Sequence, residues 1–208
     1  MHGLALTGFI ARLAAAGSAA TLAVLAFGVS ALVAARPLIQ DGVEAILPGF
    51  IARIGADPAG DSGVIITLEA VQPVVIAGDY LVASWVPMHK GIHAGHDLVP
   101  AILLFSLLLA WPYRGAAERL RALALGVPAC AVMLAWTIPV HLAGLFEIDF
   151  QRVAAQFHLA RPQPWYLTQM MFFEAGGAWL AAMMLALVIA LGVSGPIGMR
   201  AERAAARA

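Results

Sequence analysis

Apolar positions in this chain come in long unbroken runs, and the charged positions are gathered between them. The runs read Leu13–Ala35, Leu98–Tyr113, Ala122–Phe146 and Ala175–Val193. About 18 or more apolar residues carry a helix across the ~30 Å of bilayer hydrocarbon. Helices and closed barrels are the only structures whose backbone polar groups are all satisfied in lipid. The pattern predicts an all-α membrane protein: four transmembrane helices with a small outward-facing loop domain, β-rich or α+β.

The order that follows is an N-terminal tail and first helix over 1–35, an outer loop domain over 36–96, and a second helix over 97–113. A cytoplasmic link and third helix fill 114–146, a second outer loop 147–164, the last helix 165–195 and a tail 196–208. The second run is the shortest. Leu98–Pro112 reaches only ~22 Å at 1.5 Å per residue, so its helix must begin near His93 to cross. The first run follows Arg12 and ends in Val33-Ala34-Ala35, like a secretory signal. A signal's apolar core is about 7–15 residues, so this longer run reads as an uncleaved span.

Basic residues orient the chain. Arg12, then Arg114, Arg119 and Arg121, then Arg200, Arg203 and Arg207 lie in the short segments on one side. Arg36, Arg53, Lys90, Arg152 and Arg161 are spread over the two longer ones. By the positive-inside rule both termini are cytoplasmic and the long segments face outward, as in a multi-pass protein of a bacterial inner membrane.

Within the first outer segment, Val43, Ile46, Leu47, Phe50, Ile51 and Ile54 have helical spacing, interrupted at Pro48-Gly49. They predict an amphipathic helix over Val43–Ile54. Asp57–Gly63 is a turn-rich break. Gly63–Val71 and Pro73–Trp85 predict two or three short strands with a turn at Gly78-Asp79. In the second outer segment Trp165 and Tyr166 open the last helix as interfacial aromatics do.

Composition narrows the class. The chain is 62% hydrophobic and 12% charged, with mean hydropathy +0.88, where a soluble domain carries roughly 25% charge. A net charge of zero with no basic cluster argues against nucleic acid as a partner. The single cysteine, Cys130, rules out a disulfide framework. The partners this composition expects are lipid and other membrane subunits.

Three groups of residues can carry chemistry. His89, His93 and His96 stand at i, i+4 and i+7 with Asp97 beside the last, a face that on a helix could ligate Zn or Cu. Gly91 and Gly95 weaken that helix. His141 and Glu174 form the second group. Counted from the cytoplasmic ends of their helices, both lie ~30 Å up, so they meet if the third and fourth helices pack. Gly176 and Gly177 are expected to permit that approach, and Pro139 to kink the helix beside His141. The third group, Cys130 with Arg152 and His158, has the order seen in membrane cysteine transpeptidases. Cys130 falls ~13 Å above the cytoplasmic end and the other two lie outside, too far for a base to reach its nucleophile.

The stretch from Val99-Pro100 through Leu107-Leu108-Leu109-Ala110-Trp111-Pro112, then Arg119-Leu120-Arg121 and Gly126, resembles small bacterial membrane proteins described as exosortase H-associated. The shared pattern is an L-x-L-A-x-P helix end and an Arg-Leu link. The resemblance implies an envelope-sorting context and carries over no catalytic residue. Together these readings predict a non-catalytic accessory or structural subunit of a larger inner-membrane complex. The alternatives are a metal-handling protein using His89, His93, His96 and Asp97, and an enzyme or transporter using His141 and Glu174.

Overall fold

A computed structural model describes residues 2–56, 63–71, 73–78, 80–82 and 87–194. The Asp57–Gly63 turn, except for Gly63, lies outside the described residues, as do Asp79, Trp85 and the tail holding Arg200, Arg203 and Arg207. The elements run α1 (His2–Ala34), α2 (Arg36–Ile46), β1 (Phe50–Ala56), β2 (Gly63–Ala70), β3 (Val74–Ala77), β4 (Tyr80–Val82) and β5 (Pro87–His93). Then come α3 (Ala94–Asp97), α4 (Val99–Ala110), α5 (Ala116–Gln156), α6 (Trp165–Phe172), a π-helical turn (Phe173–Gly177) and α7 (Ala178–Ser194).

Three helical stretches are long and apolar enough to cross a membrane: Thr7–Ala34, Ala116–Gln156 and Trp165–Ser194. The second apolar run yields α4, whose 12 residues reach about 18 Å. By itself it falls short of a span. The preceding α3 does begin directly after His93, where the length argument required a helix to start.

Two compact units divide the described chain: 2–23, 99–133 and 179–194 in one, 24–98 and 134–178 in the other. The first is packed through small residues. Ala182, Ala186 and Ala190 are buried at four-residue spacing on α7, the pattern that lets apolar helices approach closely. Gly126 faces the Leu108 and Phe105 side chains, and Trp111 Nε1 donates to Ser194 Oγ at 3.2 Å.

The second unit holds a three-stranded antiparallel sheet in the order β1-β2-β5. Its registers run from Phe50↔Ala70 to Ala56↔Val64 and from Gly63↔His93 to Glu69↔Pro87. On β2 the side chains alternate: Val64, Ile66, Leu68 and Ala70 are buried, while Ile65, Thr67 and Glu69 face outward. The buried face joins Ile39 and Val43 of α2 and Val140, Phe146 and Phe150 of α5 in one core. Full burial of each such large side chain is worth roughly 1.5–3 kcal/mol. The free edge of β1 is closed by α2, because Ala52 N–H donates to Glu44 Oε1 and Ala52 O accepts from Gln40 Nε2, each at 2.9 Å. Edge closure of this kind blocks pairing with a foreign strand. β3 and β4 form a separate hairpin with Gly78 at φ +53°, at the expected turn.

Three expectations change. The helix predicted over Val43–Ile54 is α2, which ends at Ile46; Gly49 at φ +96° reverses the chain and Phe50 begins a strand. Phe50, Ala52 and Ile54 are buried in alternation, a period of two hidden among helical spacings. The third helix does not stop at Phe146 but continues to Gln156, so the connecting segment is 157–164 rather than 147–164. The apolar positions Phe146, Phe150 and Ala154 keep the helical repeat through the polar residues. Finally, the close approach between α5 and α6 is at Gly144, where an added Cβ would lie 2.7 Å from Met170 Cβ. Gly176 has open space around it, and Gly177 faces Phe172.

Candidate functional site

The site grows from the junction of β5 and α3. His93 closes the strand with extended backbone (φ −105°, ψ 121°), and its N–H donates to Asp97 Oδ2 at 3.2 Å. This local bond holds the Asp97 carboxylate turned inward, with its side chain 6% exposed. Asp97 Oδ1 lies 2.6 Å from His141 Nδ1. With Nδ1–H donating to this oxygen, the contact fixes both tautomer and ring orientation.

The opposite ring atom, His141 Nε2, lies 3.1 Å from Glu174 Oε1. Glu174 Oε2 is in turn 3.9 Å from His96 Nε2, and the two imidazole centroids are 6.0 Å apart. Glu174 belongs to the π-helical turn, and the backbone leaves helical geometry at Gly176, φ +99°. Such turns insert a residue into a helix and are frequent at functional sites. Histidine 141 is thus clamped between two carboxylates, one buried and one facing a cleft.

The cleft has a volume of about 410 Å³ and is walled by Gly91, Ile92, Leu145, Ile148 and Met170, with His93, His96, Asp97, His141 and Glu174 as its polar members. Apolar walls with a few convergent polar groups are the usual make-up of a small-molecule site. With Nδ1 turned to Asp97, His141 Nε2 faces Glu174 and the cleft, an arrangement in which an imidazole and a carboxylate can pass a proton to or from a bound group. The described lining contains no Ser, Thr, Cys or Lys to act as a nucleophile.

Sequence spacing therefore brings His141 and Glu174 together as expected, and adds Asp97 and His96 to them. The shared helix face proposed for His89, His93 and His96 does not exist. His89 and His93 lie on strand β5, where a separation of four residues is about 13 Å. His89 Nδ1 instead meets Thr67 Oγ1 at 3.0 Å, directly across the strand pair. Among the described residues, no group of three or more His, Cys, Asp or Glu side chains stands closed around one point for a metal ion. Cys130 is buried in the first unit, and Arg152 pairs with Asp149 on its own helix.

A second polar cluster escaped the sequence reading. Glu147, fully buried, accepts two bonds from Arg161, through Nε and Nη2, both at 2.6 Å. Tyr166 Oη donates to it at 2.9 Å and Gln151 Nε2 at 2.8 Å. Arg161 also sits over the Phe150 ring, 5.2 Å from its centroid. The hydrogen bonds to Glu147 raise the pKa of the Arg161 guanidinium. This cluster fastens the 157–164 segment to α5 and α6. The only sequence signal for it was a lone acid following an apolar run. No protein-family profile, curated protein or solved structure matches the chain.

Proposed function

We propose that this is a bacterial inner-membrane protein that presents an acid–base site, Asp97–His141–Glu174 with His96, to the outer side of the membrane, as an enzyme or transporter of a small polar substrate. The observation that carries this reading is His141 held at both ring nitrogens beside an open cleft. A histidine serving only as filler needs neither a buried carboxylate behind it nor a π-helical turn in front. The outward placement rests on the arginines at positions 12, 114, 119 and 121. In this reading α3 and α4, Ala94–Ala110, form a fourth crossing of ~25 Å, and both termini are cytoplasmic.

Chromosomal replacement tests the reading. Strains carrying His141→Gln, Asp97→Asn or Glu174→Gln are expected to lose as much competitive fitness as the deletion strain, with the protein still at normal abundance. Wild-type fitness for all three, beside a deficient deletion strain, would contradict it.

A second reading, an accessory subunit of a membrane complex in the envelope-sorting context the resemblance implies, draws on a different feature. A wholly apolar groove of about 780 Å³ lies between α5 and α7, lined by residues including Leu125, Val132, Met184 and Val188. A photo-crosslinker at Val132 that captures one discrete partner chain in native membranes supports this reading. Capture of lipid alone counts against it.

A further inference from the structure

We propose that the free edge of β5 captures a short extended peptide by strand pairing at His89 and Gly91, and places a basic side chain of that peptide in the cleft, against Glu174. The inference rests on the site reading above and names the substrate class for it: the small polar substrate is a peptide carrying lysine or arginine. The two edges of the sheet are treated differently. The β1 edge is closed by α2, whereas β5 is the last strand on the opposite side.

Backbone groups of an antiparallel strand turn alternately to one side and the other. Ala52 gives its N–H and C=O to α2, so its partner Leu68 turns toward β5 and bonds Met88. By the same alternation Lys90 and Ile92 bond β2, while His89, Gly91 and His93 turn outward. Two details agree. His93 N–H donates to Asp97 rather than to β2, and Pro87, which has no N–H for a ladder, falls at an outward position. Among the described residues, no hydrogen bond reaches the outward N–H or C=O of His89 or Gly91. Lysine often guards an open edge, but Lys90 is held by Asp149 at 2.6 Å. A Cβ at Gly91 would meet nothing within 4 Å, so the strand face there is open as well. The edge also runs into the acid–base site. Gly91, Ile92 and His93 all border the cleft. Successive strand residues face opposite sides, so a cleft that reaches three in a row lies along the edge. An added peptide strand would turn every second side chain to the face of Ile92, which shares a core with Val140 and Leu142 of α5. His141 of α5 and its neighbour Glu174 stand on that side. The described lining carries two carboxylates and no Lys or Arg. Asp97 is spent on His93 and His141, whereas Glu174, 43% exposed, is the carboxylate left to take a cation in a charge-assisted bond.

The test uses the full chain purified in detergent and immobilised. The probes are pools of acetylated, amidated pentapeptides with random flanks and a fixed centre of lysine, arginine, leucine or glutamate, and retained peptide is measured by mass spectrometry. The lysine and arginine pools are expected to be retained about tenfold or more over the other two, and Glu174→Gln should erase that preference. Two further lysine pools carry backbone N-methyl groups, one set at odd positions and the other at even positions. A paired strand offers only alternate amides to its neighbour, so one set should abolish retention and the other should spare it. Gly91→Pro, which removes an outward N–H and no ladder bond, should lose retention too. If that variant fails to fold, the methylated pools decide the matter on the unaltered protein. Retention of no pool overturns the proposal, as do equal retention of the glutamate pool, an unchanged preference in Glu174→Gln, or an equal effect of the two methylated sets. No retention beside a His141→Gln strain that loses fitness sinks the peptide and leaves the acid–base site standing. A His141→Gln strain of normal fitness sinks the site itself.

Discussion

Asp97 and Glu147 both carry side chains turned out of solvent, and they are used differently. Asp97 spends its oxygens on a backbone N–H and on one ring nitrogen of His141, which leaves the other ring nitrogen facing a cleft. Glu147 spends its oxygens on Arg161, Tyr166 and Gln151, a closed set with nothing left to offer. The first leaves a histidine nitrogen at a cleft, and the second ties the 157–164 segment to α5 and α6. Removing Arg161 would leave the buried Glu147 with only the neutral donors Tyr166 and Gln151, and breaking a buried pair from one side costs about 3 kcal/mol or more. Arg161→Ala should accordingly lower the thermal unfolding midpoint in detergent markedly, as followed by circular dichroism. A midpoint equal to the wild type would show that the pair contributes nothing net. Neither role was legible in the sequence. A lone acid after an apolar run looks the same whether it ends a helix or anchors one, and only the partner 14 positions on distinguishes the two.

At the scale of elements, two local departures from regularity decide what the site contains. Gly49 turns the chain from α2 into the sheet, and Glu174 sits in the π-helical turn two residues before Gly176, 3.1 Å from His141. Gly176 at φ +99° is in a conformation that costs an L-residue about 1–2 kcal/mol. Gly176→Ala, which meets no side chain, should destabilise by about that much and displace Glu174 from His141. The second effect should appear as a fitness loss larger than the stability change explains, approaching that of Glu174→Gln. A variant with normal fitness would mean the turn is incidental. The long helices and strand β2 were legible because their apolar patterns persist over many residues. The histidine segment was misread because histidines at i, i+4 and i+7 suggest a helix face, whereas seven strand residues paired to β2 decide the conformation. The pairing of His141 with Glu174 was legible from depth, because one kink at Gly176 changes a count at 1.5 Å per residue over about twenty residues only slightly. Asp97 joining them was not, because it depends on where α3 begins.

For the molecule as a whole, the account requires that the sheet and the His141 cleft face the exterior while the 111–115 link faces the cytoplasm. Apolar length and charge bias support that arrangement, and the three long helices are compatible with it. Two glycines report on it without disturbing any packing: Gly55 on β1 and Gly115 in the link are both exposed, with open space where a side chain would extend. The buried Cys130 is first replaced by alanine, and Gly55→Cys and Gly115→Cys are then made singly. Intact cells are treated with a maleimide that does not cross the inner membrane. The account predicts rapid labelling at position 55 and labelling at position 115 only after the membrane is opened. Labelling at 115 in intact cells, with 55 protected, would put the clamped histidine in the wrong compartment and contradict the account.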